Sequence, residues 1–187
     1  MFKFGNESVE VKCTGDIRTL IDYENYYCAN TSNAKFMNFF NSMKNLKSAP
    51  DLPSMELASQ CYYAMFKGCT GLTTAPELPA TTLVYGCYKE MFSGCTSLTT
   101  APELPATKLA FYCYFKMFYG CSKLSKVTML ATNYNFSFSL DNWLDNAGTS
   151  AQSRTLKLAN QKVYNGIKSY LPTLWQSDQA TIEYNNQ

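Results

Sequence analysis

The residues of this chain best placed to do chemistry are its cysteines and carboxylates, because histidine is absent altogether. Without an imidazole, Ser-His-Asp and Cys-His nucleophile arrangements and histidine-bearing zinc sites cannot be assembled within the chain. Six of the eight cysteines form the pairs Cys61/Cys69, Cys87/Cys95 and Cys113/Cys121. A C-x7-C spacing is not a zinc-knuckle spacing, and the two members of each pair belong to different sets of equivalent positions. The expectation is two interior columns, Cys61 with Cys87 and Cys113, and Cys69 with Cys95 and Cys121, acting as small buried hydrophobes. Stacking near 5 Å permits a disulfide by distance alone, but three equivalent residues cannot all pair. Cys13 and Cys28, outside these sets, leave open a bridge to each other. A cysteine nucleophile would lack its base, so the chain reads as a non-enzyme with no cofactor and no catalytic or metal-ligating residues.

Asp51, Glu77 and Glu103 recur at one 26-residue spacing. Stacked carboxylates repel unless a cation offsets them, so this is either a solvated acidic stripe or a weak site for a hard cation, although the spacing is unlike an EF-hand loop. Beside them, Thr73, Thr74, Thr99 and Thr100, then Ser125 and Lys126, read as the exposed face of short strands. The candidate binding set is therefore Thr73, Thr74, Glu77, Thr99, Thr100, Glu103 and Lys126, a surface of small hydroxyls and charges suited to protein or carbohydrate. Tyr62, Tyr88 and Tyr114 offer a second, sugar-stacking possibility, although burial is expected for them. Tyr63, Lys89 and Phe115, and likewise Ala64, Glu90 and Lys116, vary between otherwise matching segments. They read as an outer face on which Glu90 could pair with Lys116.

The element that must position these residues is an internal repeat. Residues 61–83, CYYAMFKGCTGLTTAPELPATTL, and residues 87–109, CYKEMFSGCTSLTTAPELPATKL, are identical at 18 of 23 positions at an offset of 26. A third copy keeps CYFKMFYGCSKL before drifting to SKVTML, and an earlier one keeps Phe40, Leu46, Ala49-Pro50, Leu52-Pro53 and Leu57. Leu20, Leu46, Leu72, Leu98 and Leu124 fall on the same spacing. A fixed period of this length means that one unit cannot bury its apolar face alone, so copies must stack.

Within a copy, Leu57, Cys61 and Met65, flanked by Ala58, Tyr62 and Phe66, recur every four residues and predict a short amphipathic helix, with Gly68, Gly94 and Gly120 as terminators. Residues 72–75 predict a strand kept short by Pro76 and Pro79. Helices about 10 Å wide opposite strands about 4.8 Å apart would splay, and the strand–helix–strand crossover is right-handed. The expected fold is thus a right-handed α/β solenoid of leucine-rich coils of about 26 residues, with short parallel strands on the concave side and short helices on the convex side. Residues 1–34 read as an N-terminal cap containing an edge strand over 7–13 and a turn at Gly15-Asp16. Residues 35–130 form the coils. Residues 131–187 form a C-terminal cap in which Asn142-Trp143-Leu144, Tyr164, Ile167, Tyr170-Leu171, Leu174 and Trp175 cover the last coil and 178–184 makes a final strand. All three belong to one domain, which 187 residues suffice to build.

With 16% charged residues, fourteen tyrosines and twelve phenylalanines, the surface must be largely Thr, Ser, Asn and Tyr. A net charge of +2 with scattered lysines gives little field for nucleic acid, which is not expected as a partner. No apolar run is long enough to span a membrane, and the first residues lack a signal-peptide core, so a soluble chain is expected, or a secreted or anchored one without its leader.

The motif Phe66-Lys67-Gly68-Cys69, Leu72, Leu78-Pro79, repeated as Phe92-Ser93-Gly94-Cys95, Leu98, Leu104-Pro105, resembles that of the BspA-like, or Treponema-type, leucine-rich repeat proteins of Bacteroides and related bacteria. The likeness runs over residues 36–145, although Val127-Thr128-Met129 departs from the motif. The resemblance implies a cell-surface or secreted protein engaged in adhesion, binding host matrix proteins or another cell-surface protein, and implies no catalytic site. A binding or adhesion module is the leading expectation; a structural spacer or self-assembly element and a glycan-binding module are the alternatives.

Overall fold

The structure, a computed structural model, describes residues 9–25, 27, 35–133 and 138–185. Their regular elements are β1 (Val11–Lys12), β2 (Leu46–Ser48), β3 (Thr100–Leu104), β4 (Lys126–Met129), β5 (Thr155–Leu158), α1 (Gln161–Ile167) and β6 (Thr181–Tyr184). Short 3-10 turns occupy Ile17–Leu20, Lys168–Tyr170 and Thr173–Trp175. β1 pairs with β2 in one parallel sheet, and β3, β4, β5 and β6 pair in that order in a second.

The expected solenoid of strand–helix leucine-rich coils does not form. Among the described residues there is one α-helix, of seven residues, and it lies outside every segment where a convex helix was expected. Two small parallel sheets stand in place of a strand in each copy. The BspA-like resemblance fails here with its implied fold.

The segments read as helices are runs of tight turns. Cys61, Met65 and Cys69 donate their N–H groups three residues back, to the carbonyls of Ala58, Tyr62 and Phe66 at 3.0–3.2 Å, rather than four back as a helix requires. Alternate N–H groups leave the copy, whereas those of Tyr63 and Lys67 also bond three residues back. Those of Tyr62, Ala64, Phe66 and Gly68 reach the carbonyls of Cys87, Lys89, Met91 and Ser93, 25 residues on. The same pattern joins Phe92 to Met117 and Phe118 to Trp143. Every fourth residue sits in the left-handed region to close its turn: Gln60, Ala64 and Gly68, then Gly86, Glu90 and Gly94, then Tyr112, Lys116 and Gly120.

Width explains why turns win over helices. Phe40, Phe66, Phe92 and Phe118 stack with ring centroids 5.4, 5.6 and 5.8 Å apart. Beside these rings the backbones themselves are bonded, the Phe66 N–H to the Met91 carbonyl at 2.9 Å and the Phe92 N–H to the Met117 carbonyl at 3.0 Å, an approach closed to α-helices about 10 Å across but open to layers of turns. The reason for expecting a splayed arc falls away with the helices.

On the opposite side, proline decides where pairing is regular. Residues 72–75 were expected to be a strand, but only Thr74 is bridged there, to Ser48. One copy later β3 runs through Pro102 to Leu104, with its register against β4 shifting between Thr100 and Glu103. A residue without an N–H interrupts the ladder, and the shift lets the strand pass it. β4, β5 and β6 contain no proline and pair residue for residue.

A continuous apolar core extends from Ile17 to Trp175. Leu46, Leu72, Leu98 and Leu124 are fully buried, but Leu20 is 58% exposed on its 3-10 turn and is not part of that interior set. Of the edge strand expected over 7–13, the described residues contain only β1. Near the other end, Asn160 caps α1 by accepting from the Val163 N–H at 3.1 Å. The helix buries Val163, Tyr164 and Ile167. The Tyr164 hydroxyl accepts from the Ser177 N–H at 2.9 Å, and Trp175 Nε1 donates to the Ala147 carbonyl at 3.0 Å. The final strand begins at Thr181 rather than at 178.

Candidate functional site

All seven residues nominated from the sequence, Thr73, Thr74, Glu77, Thr99, Thr100, Glu103 and Lys126, are exposed. Thr100 pairs with Lys126 and Glu103 with Thr128 across β3 and β4. Thr74 is bridged to Ser48 in the preceding copy. The hydroxyls are partly engaged: Thr73 Oγ1 donates to the Lys47 carbonyl at 3.4 Å, and the Thr99 carbonyl accepts from both the N–H and the hydroxyl of Ser125. Glu77 and Glu103 line one shallow depression of about 410 Å³ with Pro79 and Pro105. Asp51 and Glu77 line the adjoining one, of about 390 Å³, with Pro53 and Pro79. These depressions are open and lined by prolines as well as carboxylates, shaped for surface contact rather than for enclosing a small molecule. Among the described residues no three His, Cys, Asp or Glu side chains come together as metal ligands.

The thiols face inward. Cys69, Cys95 and Cys121 donate their Sγ hydrogens to the carbonyls of Phe40, Phe66 and Phe92 at 3.0–3.1 Å. Burial pushes Cys61, Cys69, Cys113 and Cys121 up to about 12, and Cys87 and Cys95 well above the ordinary thiol range. A thiol held protonated is a poor nucleophile and a poor ligand. The six repeat cysteines and Cys13 carry free thiols; the Cys28 half of the suggested Cys13–Cys28 bridge lies outside the described residues.

Tyr62, Tyr88 and Tyr114, considered as sugar-stacking rings, are at most 2% exposed and stack on one another at 5.9 and 6.3 Å. Burial raises all three hydroxyls above the usual phenol range. They belong to the interior and present nothing to a glycan. The Glu90–Lys116 pair also fails to form: Glu90 binds Lys67, while Lys116 Nζ lies over the rings of Phe115 and Tyr119.

Sequence reasoning missed a surface cluster of aromatic rings on the turn side. Tyr85 stacks on Phe111 at 6.1 Å, and Phe111 meets Tyr112 edge to face at 4.7 Å. Tyr112 stacks on Phe138 at 5.1 Å and meets Phe115 edge to face at 5.4 Å. Lys89 Nζ stands 5.1–5.4 Å from the ring centroids of Tyr63, Tyr112 and Phe115. The signal available in the sequence was the change from Ser59 to Tyr85 to Phe111 at one repeat position. Large rings were being placed where the core did not need them.

No family model, curated protein or solved structure matches the chain. The likeness to BspA-like leucine-rich repeat proteins thus stands on no relative, and the turn runs remove the coil it implied. Among the described residues no helix is long and apolar enough to cross a membrane.

Proposed function

We propose that this chain is a non-catalytic binding module that contacts protein, host matrix or another cell-surface protein, through the edge formed by Thr73, Thr74, Glu77, Thr99, Thr100, Glu103 and Lys126. The observation that carries the reading is that these residues are all exposed while the repeat cysteines and the Tyr62, Tyr88 and Tyr114 rings are committed to the interior. An open, regularly spaced surface of hydroxyls and carboxylates can be recognised by a partner without an enclosing pocket. The buried, protonated thiols and the missing imidazole supply no nucleophile–base pair, which favours binding over catalysis. A location at the cell surface or outside the cell belongs to the same proposal.

The test changes Thr74, Glu77, Thr100 and Glu103 together and measures retention on whole matrix preparations beside the melting temperature. Lost retention with unchanged melting supports the assignment. Unchanged retention removes it. Concentration-dependent sedimentation of the unaltered chain without any retained partner would favour a self-assembling spacer instead.

A further inference from the structure

The aromatic cluster around Lys89 is not used by the strand-edge reading, and its composition points to a ligand of its own. We propose that this surface docks a polypeptide segment that combines carboxylates with apolar side chains.

Exposure is the first observation. Tyr85, Phe111, Tyr119 and Phe138 are 45%, 41%, 38% and 47% exposed. For aromatic residues of about 200 Å² each, that leaves roughly 350 Å² of these residues, backbone included, in water, with Tyr119 joined to the other three through Lys116 and Phe115. That is the scale of the largest patch on a typical soluble chain, which is often functional. Interior packing does not require this: the rings that fill the core at neighbouring positions, Phe92 and Phe118, are fully buried.

The second observation is how the rings are turned. Tyr85 lies nearly parallel to Phe111, and Tyr112 to Phe138, while Phe111 meets Tyr112 and Phe138 at 82° and 80°. Each of these four rings thus has one face against another ring, Tyr112 also lies under the Lys89 ammonium, and Phe111 presents its edge or face to two further rings. A sugar or a nucleic-acid base needs an open face to stack on; a protein side chain packs equally well against edges. Ring edges are also the electropositive part of the aromatic quadrupole.

Charge is the third. Lys89 and Lys116 both lie over rings rather than beside a carboxylate, and the nearby Glu90 is held by Lys67. Two cations set among apolar rings complement a partner that brings acids on an apolar segment. Tyrosine-rich patches of this type also concentrate binding energy in protein contacts.

The experiment uses the whole chain and three sets of short synthetic peptides: Asp and Glu interleaved with Leu and Phe, the same apolar residues with Lys, and the same acids with Ser and Gly. Polygalacturonate and oligo-deoxythymidine serve as an anionic glycan and a single strand. The acidic, apolar set is expected to bind best. Lys89→Glu and Phe111→Ala should each weaken that binding about tenfold or more, with melting unchanged; Tyr85→Ala serves where Phe111→Ala lowers melting. Equal binding of all three peptide sets, no binding of any, or binding indifferent to these substitutions overturns the proposal. So does preferential capture of polygalacturonate or oligo-deoxythymidine, or self-association of the chain that Phe111→Ala abolishes. Peptide binding lost only when Thr74, Glu77, Thr100 and Glu103 are changed also overturns it while leaving the strand-edge reading intact. Failure of that reading is seen separately, in the matrix assay.

Discussion

The rings of Phe66 and Phe92, 26 residues apart in the chain, lie 5.6 Å apart with their planes within 5° of parallel. The Phe66 N–H donates to the Met91 carbonyl beside that stack, and the Cys95 thiol donates back to the Phe66 carbonyl. One contact thus ties side chain and backbone of two copies together.

Phe92 has a ring on either side, Phe66 and Phe118, and is fully buried. Phe92→Ala should therefore cost about 3–5 kcal/mol of unfolding free energy. Tyr85→Ala, on the exposed cluster, should cost far less. Urea denaturation of both variants measures this, and equal costs would mean that the stack does not carry the stability assigned to it.

The turn runs and a helix predict opposite signs for one substitution. Gln60 has a φ of 58° at the position where the next copy carries Gly86, also at 58°. A non-glycine residue there costs about 1–2 kcal/mol, partly offset by the extra unfolded-state freedom of glycine, so Gln60→Gly should leave stability unchanged or raise it by up to about 1 kcal/mol. In a helix interior the same change would lower stability by about 1 kcal/mol. Far-UV circular dichroism should show weak helical signal, because α1 is only seven residues long.

Glu90 is expected to couple to Lys67 and not to Lys116. A double-mutant cycle on Lys67 and Glu90 should return about 0.2–1 kcal/mol, since Lys67 is partly solvated, and should shrink as salt is added. The cycle on Glu90 and Lys116 should return nothing measurable. The reverse result would reassign the pair.

Alkali should unfold the chain through its thiols. Burial raises Cys61, Cys69, Cys113 and Cys121 from 9.0 to about 12. The folded chain therefore holds protons that the unfolded chain releases. Stability from this source is complete below about pH 9 and is lost as pH rises towards 12. Melting temperature should be flat across neutral pH and fall steadily above about 9, and the repeat thiols should react with iodoacetamide only as the chain opens. Fast labelling at neutral pH without loss of structure would contradict the burial.

The four-residue period over Leu57, Cys61, Met65 and Cys69 could have warned against a helix. A helix repeats every 3.6 residues, so a strict spacing of four drifts around its surface by about 40° per turn. Ala58, Tyr62 and Phe66 keep the same strict spacing, and so do Gln60, Ala64 and Gly68. Each is one corner of a repeating turn. The glycines at 68, 94 and 120 read as ends of helices, whereas all three hold turns closed with positive φ, as Gly86 also does. Tyr63, Lys89 and Phe115 read as a variable outer face, and there the rings of Tyr63 and Phe115 flank the Lys89 ammonium.

From the sequence alone it follows which side chains meet, because a repeat that cannot bury its apolar face singly must bring like residues together, as Phe40, Phe66, Phe92 and Phe118 do. The exposure of Thr74, Thr100, Glu77 and Glu103 was legible in the same way. Only the tertiary structure decided what the backbone does between those side chains. Alternate N–H groups, such as those of Phe66 and Phe92, find acceptors 25 residues away, and the turns that present them exist only when the next copy is in place. A preference that depends on a neighbouring layer is not written in the local pattern of any one segment.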